Sequence, residues 1–147
     1  RDLFQVLRTL HQENLQMPIE AGCFITKEIA QGLHFAHCKI SPVTQKPLRV
    51  IHRDVSPQNV LLSWAGEAKL TDFGIVKAAQ RSTHTEAGVI KGKFYYMSPE
   101  QARGEDVDYR SDIFSLGIVL YESLTATPHG LVYLTTTAAK VLGGLFP

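Results

Sequence analysis

Three oxygen-bearing side chains, those of Asp54, Asn59 and Asp72, flank two short β-rich runs. The runs are Val60–Leu62 and Ala68–Leu70, and the five residues between them predict a hairpin. Because two of the side chains precede the first strand and the third follows the second strand, the hairpin should bring them together. Hard divalent cations such as Mg²⁺ prefer oxygen ligands and often hold phosphate as well. A carboxylate left off the metal could orient a hydroxyl group and accept its proton.

The elements that must position these groups are mainly helical. Spaced leucines predict a short helix from Asp2 to Leu10, and Pro18 opens a longer helix from about Ile19 to His37. The predicted buried stripe of the longer helix consists of Ala21, Ile25, Ile29, Leu33 and Ala36. Residues Ser111 to Leu124 predict a strongly apolar helix, and Pro99 to Arg103 predict one helical turn.

Three further segments complete the chain. Leu48 to Ile51 predicts a short strand before His52. Lys77 to Lys93 lacks a clear period and is rich in Thr, Ser and Gly, which predicts a long loop of the kind that is usually functional. The pattern of Thr125 to Pro147 favours no single structure.

Composition and charge exclude several classes of protein. The 147 residues are 44% hydrophobic and 20% charged, values that argue against disorder, collagen and coiled coil. The net charge of +1, without a basic run, gives no indication of a nucleic-acid or membrane partner. The longest apolar run, Ile113 to Leu124, is too short to cross a bilayer. Two cysteines are too few for a disulfide framework, so we expect a cytoplasmic location.

The residues around the candidate site resemble the motifs of the protein kinases. His52–Asn59 is similar to the catalytic loop, and Asp72–Gly74 is similar to the magnesium motif. Ser98–Glu100 matches the end of the activation segment, and Asp112–Gly117 resembles the buried helix that anchors the catalytic loop. Each motif alone is a weak signal, whereas four motifs in the family's order are a strong one.

The resemblance covers nearly the whole chain but only part of the family's domain. It implies a mainly α fold within an α+β family, namely the larger C-terminal lobe with a short β-hairpin at the active-site edge. Residues 1–147 are expected to run from just after the hinge to before the final helices. Both ends look cut, since the chain begins at Arg1 rather than methionine, and the glycine-rich loop and strand lysine of the family lie outside it.

The resemblance implies a role for each motif residue. Asp54 would be the catalytic base, while Asn59 and Asp72 would hold Mg²⁺ beside the phosphates of ATP. Arg53 would bind a phosphorylated residue of the activation loop. The candidate phosphorylated residues are Ser82, Thr83 and Thr85, of which the two threonines are favoured.

Other matched residues would build the surroundings of the site. The floor of the adenine pocket would consist of Val60, Leu61 and Leu62. His52 and Phe73 would stack in a hydrophobic spine beside Gly74, and Asp112 would accept backbone hydrogen bonds from the catalytic loop. The usual arginine partner of Glu100 would lie beyond Pro147, so Glu100 is expected to be unpaired.

The chain departs from the family at two facing positions. The lysine that usually follows the base by two residues is replaced by Ser56, and the threonine that usually follows a glycine of the docking segment is replaced by Lys93. One interpretation is that the two residues exchange roles, so that Lys93 supplies the ammonium group. The other is that Lys93 points to solvent. The tripeptide Ser56-Pro57-Gln58 differs from the Ala-Ala-Arg type of tyrosine kinases, which favours serine/threonine specificity.

The function implied is that of a bacterial-type serine/threonine protein kinase, which transfers the γ-phosphate of ATP to hydroxyl groups of protein substrates. Residues 1–147 alone are expected to be inactive, because the nucleotide-binding lobe is missing, and to expose apolar surface. The alternative is a pseudokinase or scaffold, which Ser56 favours and the retained Asp54, Asn59 and Asp72 oppose. A truncated gene is a third possibility.

One other cluster lies outside these motifs. His34, His37 and Cys38 are three and four residues apart on the predicted longer helix, a spacing that could bind a metal ion. No fourth ligand is evident in the sequence, so we interpret these residues as packing and capping groups.

Overall fold

The computed structural model describes residues 1–73 and 94–125. Its helices and strands are α1 (Leu3–Gln12), α2 (Ile19–His37), β1 (Val60–Leu62), β2 (Ala68–Leu70), α3 (Pro99–Ala102) and α4 (Tyr109–Thr125). Two single 3₁₀ turns, Pro57–Asn59 and Phe94–Tyr96, precede β1 and α3. The predictions for the loop within 74–93 and for residues 126–147 lie outside the described residues.

Helices α2 and α4 pack against each other and enclose most of the core. Their buried apolar side chains in the core are Ile25, Ile29 and Leu33 of α2 and Leu116 and Val119 of α4. Gly22 lies where the helices approach closely, because a Cβ atom there would be 2.9 Å from Leu124 Cδ2. Gly22 is therefore buried, whereas Ala21, which the sequence pattern predicts to be buried, is only half-buried. The rest of the predicted stripe is buried as expected.

Helix α1 is joined to the hairpin at its N-terminus. The Asp2 side chain caps the helix by accepting a hydrogen bond from Gln5 N at 2.7 Å, so the helix begins one residue later than predicted. The backbone of Asp2 also bridges to Leu61, and Leu62 N donates to Arg1 O at 2.8 Å. Since Leu3 is fully buried, α1 closes one side of the core beside β1.

The predicted hairpin is confirmed, with β1 and β2 antiparallel. Val60 pairs with Leu70 and Leu61 with Lys69. The alternation buries Val60 and leaves Leu61 44% exposed on the opposite face. Thr71 N donates to Asn59 O at 2.9 Å and continues the pairing beyond β2, so residues on both sides of the hairpin stay close together.

The predicted strand from Leu48 to Ile51 is wrong. Leu48 N donates to Lys39 O at 2.8 Å, but the next residue, Arg49, adopts a φ of 50°. An extended strand cannot pass through this left-handed conformation, so its apolar composition does not produce strand pairing. Near this segment, the described residues contain an isolated bridge between Ile40 and Pro47 instead.

Neither cysteine forms a disulfide, and both Cys23 and Cys38 are exposed. In the part of the chain that the structure describes, no helix has the length and hydrophobicity that a membrane span requires. The cytoplasmic location expected from the sequence stays a prediction.

Candidate active site

Asp112, in the first turn of α4, holds the start of the catalytic-loop motif. Its side chain is 1% exposed. One carboxylate oxygen, Oδ1, accepts a hydrogen bond from Arg53 N at 2.8 Å. The other, Oδ2, accepts from His52 N at 2.8 Å and from His37 Nε2 at 2.7 Å. A buried carboxylate is costly unless it is hydrogen-bonded, and these donors supply that compensation.

The His52 imidazole connects Asp54 to the segment that carries Asp72. Its Nδ1 accepts a hydrogen bond from Asp54 N at 3.2 Å, and its Nε2 donates to Thr71 O at 2.9 Å. Both contacts are satisfied by the neutral ring with its proton on Nε2. The ring also lies 4.5 Å from the Phe73 ring, tilted by 58°. Because His52 is fully buried, it fixes the two segments relative to each other.

Two residues of the site adopt strained backbone conformations. Arg53 has a φ of 65° and Asp72 a φ of 59°, both in the left-handed region. Such conformations cost about 1–3 kcal/mol each and persist where the surroundings enforce them. At Arg53 the backbone N–H binds Asp112, and the carbonyl accepts a hydrogen bond from Gln101 Nε2 at 3.0 Å. The strain therefore occurs next to Asp54 and at Asp72 itself, where orientation matters most.

Asn59 and Asp72 carry oxygen atoms suited to a divalent cation. Asn59 is buried, and its Nδ2 donates to Asp54 O at 2.7 Å. This bond fixes the amide and leaves its Oδ1 as the available ligand atom. Asp72 is exposed, and its side chain makes no hydrogen bond to the described residues. One held amide oxygen and one accessible carboxylate fit Mg²⁺, which takes few protein ligands and keeps several waters.

Tyr96 and Met97 form a segment that faces Asp54 across a small cavity, and we call it the facing segment. A second buried contact fixes it. Tyr96 Oη donates to Glu122 Oε2 at 2.6 Å, and Ser115 Oγ donates to Tyr96 O at 2.6 Å. Burial raises the pKa of Tyr96 and the charge of Glu122 raises it further, so the phenol stays protonated as the donor. A small cavity separates this segment from Arg53–Val55. The cavity is bordered by Tyr96, Met97 and Ser115 on the facing side.

Glu100 has a partner, so the expectation that it is unpaired is wrong. Its carboxylate accepts a hydrogen bond from Ser111 Oγ, on the residue before Asp112. Partial burial raises the pKa of Glu100, but the hydrogen bonds from Ser111, the backbone and Ser98 lower it by more in total. Gln101 and Ser98 form a capping box at the start of α3. The Ser-x-x-Gln spacing of Ser98 and Gln101 is the sequence signal for this box.

The second half of the catalytic-loop motif contains buried polar atoms that have no hydrogen-bond partner among residues 1–73 and 94–125. Ser56 is 1% exposed, and its Oγ makes no hydrogen bond to the described residues. The same is true of Gln58 Oε1. Ser56 also precedes the 3₁₀ turn without capping it. A hydroxyl group is thus buried beside the site without a hydrogen bond to the described part of the chain.

The remaining residues predicted from the sequence lie on the hairpin, at Arg53 or outside the described residues. Val60 is buried and Leu62 half-buried, whereas Leu61 faces outward. The Arg53 side chain is exposed. Five of the predicted residues lie outside the described residues, namely Gly74, Ser82, Thr83, Thr85 and Lys93.

Comparison with known proteins gives matches over most of the chain. The protein kinase domain matches residues 1–133. The chain is 46% identical over 124 residues to the tyrosine-protein kinase MasK of Myxococcus xanthus. This aligned region covers 84% of this chain and 19% of MasK. The chain is 41% identical over 123 residues to the serine/threonine-protein kinase PknB of Mycobacterium leprae, covering 83% and 18%. It is 40% identical over 119 residues to PknL of Mycobacterium tuberculosis, covering 81% and 28%.

The chain spans less than a third of the length of these relatives. The aligned part nevertheless includes every motif around Asp54, Asn59 and Asp72, because the family match extends from residue 1 to residue 133. The chain therefore belongs to the protein kinase family.

Proposed function

We propose that residues 1–147 form the C-terminal-lobe part of a serine/threonine protein kinase, from just after the hinge to before the final helices. The observation that carries the proposal is the link between its three chemical groups. Asn59 Nδ2 binds the carbonyl of Asp54, and His52 joins the Asp54 amide to the segment that carries Asp72. Bonds of this kind hold short oxygen ligands in the positions that phosphoryl transfer requires.

In the proposed mechanism Asp54 accepts the proton of the substrate hydroxyl, while Asn59 and Asp72 hold the metal. Bound Mg²⁺ supplies charge neutralisation on the phosphates of ATP. The exposed Leu61 is the hairpin side chain best suited to contact the adenine. Val60 and Leu62, which are buried and half-buried, belong to the opposite face of the strand. The substrates are proteins with serine or threonine acceptors, and the protein itself is a candidate.

Specificity for serine and threonine is supported by the names of two relatives, PknB and PknL, and by the Ser56-Pro57-Gln58 tripeptide. MasK, at 46% identity, is named a tyrosine kinase. Phosphoamino-acid analysis of the phosphorylated protein decides between them. We expect phosphoserine and phosphothreonine, and phosphotyrosine alone would contradict the assignment.

We further propose that Ser56 and Lys93 exchange the usual roles of the family's lysine and threonine. The support is the buried Ser56 hydroxyl, which has no partner among the described residues and so can receive an ammonium group. Ser56→Lys and Lys93→Thr should each impair phosphotransfer, and the double variant should partly restore it. Additive losses would contradict the exchange.

Regulation is proposed to act through Arg53 and a phosphorylated threonine. Arg53 has an exposed guanidinium group on a backbone that is fixed at both its N–H and its carbonyl. Such a group can bind phosphate in a two-pronged geometry. Mass spectrometry should find phosphate on Thr83 or Thr85, and Arg53→Gln should remove the activation that this phosphate produces. Equal activation of the variant would contradict the role of Arg53.

The alternative, a pseudokinase that binds partners without catalysis, is favoured by the replacement of the family's lysine by Ser56. One experiment separates the two functions. The longer protein, which joins this chain to a nucleotide-binding lobe, is incubated with ATP and Mg²⁺ as wild type, as Asp54→Asn and as the matched control Asp106→Asn. Asp106 is exposed and outside the motifs.

A kinase should incorporate phosphate in the wild type and the control, whereas Asp54→Asn should lose at least about a hundredfold in rate, because general-base catalysis contributes that much. A wild type that binds nucleotide without phosphate transfer would favour the pseudokinase. Residues 1–147 alone should transfer no phosphate.

A further inference from the structure

A short hairpin lies between the end of α2 and the catalytic-loop motif. Leu48 N donates a hydrogen bond to Lys39 O at 2.8 Å, and Ser41 N donates to Lys46 O at 2.9 Å. We call residues 39–49 the basic hairpin. Every residue of it except Ser41 is exposed. Backbone hydrogen bonds therefore give a defined shape to a segment whose side chains lie mostly outside the core.

The basic hairpin concentrates positive charge. It contains three cations, Lys39, Lys46 and Arg49, and no carboxylate, whereas the rest of the chain contains twelve cations and fourteen carboxylates. None of the three forms an ion pair with a described residue. Because like charges repel each other, this set does not stabilise the hairpin and is accessible to an anion from outside. The described cations that do pair with carboxylates lie elsewhere, at Lys27, Lys69, Arg103 and Arg110.

The basic hairpin also exposes aliphatic side chains. Val43, in the turn, is 88% exposed, and Leu48 is 49% exposed. Lys39 and Leu48 are opposite each other in the two strands, so their side chains lie on one face. Lys46 lies on the same face, because side chains two residues apart in a strand point the same way. The surface thus presents positive charge and apolar area side by side.

We propose that the basic hairpin docks an acidic segment of a partner protein in which carboxylates alternate with aliphatic side chains. The carboxylates would contact the three cations, while the aliphatic side chains would cover Val43 and Leu48. Charge complementarity of this kind gives specificity and speeds association. Docking of such a segment requires no phosphate transfer, so the proposal goes beyond the kinase function.

A protein segment fits this surface better than a membrane or a nucleic acid. Anionic lipids are typically bound by clusters of about four to eight Lys or Arg residues. Proteins that bind duplex DNA typically contact about six to ten phosphates. The basic hairpin has three cations, and aliphatic rather than aromatic side chains lie between them.

The test uses the longer protein with its nucleotide-binding lobe and a fluorescein-labelled peptide in which glutamate and leucine alternate. Fluorescence anisotropy should show binding to the wild type that weakens as salt rises, because salt screens exposed charges. The triple variant Lys39→Gln, Lys46→Gln, Arg49→Gln should bind at least about tenfold more weakly, since three exposed ion pairs of ordinary strength together account for about that factor.

The matched control removes three exposed cations outside the basic hairpin, through Arg8→Gln, Lys27→Gln and Arg103→Gln. It should bind the glutamate–leucine peptide as the wild type does. A peptide in which serine replaces leucine should bind the wild type at least about tenfold more weakly, because it buries no leucine against the hairpin. Circular dichroism checks that all variants are folded.

Failure of the glutamate–leucine peptide to bind the wild type would overturn the proposal, and so would equal affinities of the triple variant and the control. Vesicles containing phosphatidylglycerol and a DNA duplex are tested in parallel. Tighter binding of either one, lost in the triple variant, would overturn the proposal in favour of that partner. A dimer in size-exclusion chromatography that dissociates only in the triple variant would overturn it in favour of a second copy of this chain.

Discussion

The two halves of the catalytic-loop motif are built in opposite ways. In residues 52–54, the backbone N–H groups are bound by Asp112 and His52, and the carbonyls of Arg53 and Asp54 accept side-chain hydrogen bonds. In residues 56–58, Ser56 Oγ and Gln58 Oε1 are buried without a partner among the described residues. The first half is organised by contacts within the described chain, whereas the second half contains hydrogen-bonding capacity that these contacts do not use.

This difference indicates which half of the motif has polar atoms open to contacts beyond the described residues. An unsatisfied buried polar atom costs about 1–3 kcal/mol, a cost that folding alone does not explain at two neighbouring positions. The orientation of residues 52–54 is therefore fixed by contacts among the described residues, whereas Ser56 and Gln58 keep polar atoms that those contacts do not use. Lys93 is the candidate group that the sequence offers.

The largest expected effect comes from a substitution that disrupts residues 52–54, which we call the organised half of the motif. Asp112→Ala removes the acceptor of three hydrogen bonds from His37, His52 and Arg53. We expect the free energy of unfolding to fall by about 3–5 kcal/mol, as in other proteins where one member of a buried charged contact is removed. Urea unfolding followed by circular dichroism measures the loss. The control is Asp106→Ala, which replaces an exposed aspartate. Equal effects of the two substitutions on the free energy of unfolding would contradict the role of Asp112.

The next effect tests whether the facing segment belongs to the organised half. Tyr96→Phe removes the hydroxyl that donates to Glu122 at 2.6 Å. The free energy of unfolding should fall by about 1.5–3 kcal/mol, the usual contribution of a hydrogen bond to a charged group. Tyr121→Phe, on the exposed side of α4, should have little effect in the same urea experiment. A comparable loss in both variants would show that the buried hydrogen bond contributes no more than an exposed hydroxyl group.

A third comparison uses two buried serines with opposite expected signs. Ser98 Oγ caps α3, so Ser98→Ala should destabilise the protein by about 1 kcal/mol. Ser56 Oγ has no partner in the described chain, so in a Lys93→Thr background, which lacks the proposed ammonium partner, Ser56→Ala should leave stability unchanged or raise it by up to about 1 kcal/mol. Thermal unfolding of the two variants in parallel checks the signs. Equal destabilisation would mean that Ser56 has a partner in the folded protein.

How much of the fold could be predicted depended on the range of the interactions involved. The bounds of α2 follow from Pro18 and a local apolar period, and the hairpin from two short runs and a turn. The predicted strand at Leu48–Ile51 failed because a single backbone conformation, that of Arg49, overrides β propensity. Residue types do not report such a conformation.

The candidate site divides in the same way. Its chemical residues were recognisable from their types and order, since Asp54, Asn59 and Asp72 lie in short motifs. The contact of His37 with Asp112 spans 75 residues, and that of Tyr96 with Glu122 spans 26. No local spacing encodes these pairs, because the first forms only when α2 packs on α4 and the second only when the Phe94–Tyr96 turn packs on α4.

The smallest expected effect concerns Glu100, which contacts Ser111 next to Asp112. Its charge should make the stability of the protein depend on pH in the acid range. Hydrogen bonds, with Ser111 as the largest contributor, outweigh burial and lower the Glu100 pKa below its ordinary value of 4.5. A carboxyl group with a lowered folded-state pKa stabilises the protein above its unfolded pKa, and this contribution is lost as the pH falls through the folded pKa. Wild type should therefore exceed Glu100→Gln in urea midpoint at neutral pH, and the difference should shrink in acid. Glu105→Gln, at an exposed site, should show no such trend. A difference that stays constant with pH would mean that Glu100 acts through its shape rather than its charge, which would leave the organised half insensitive to acid at this position.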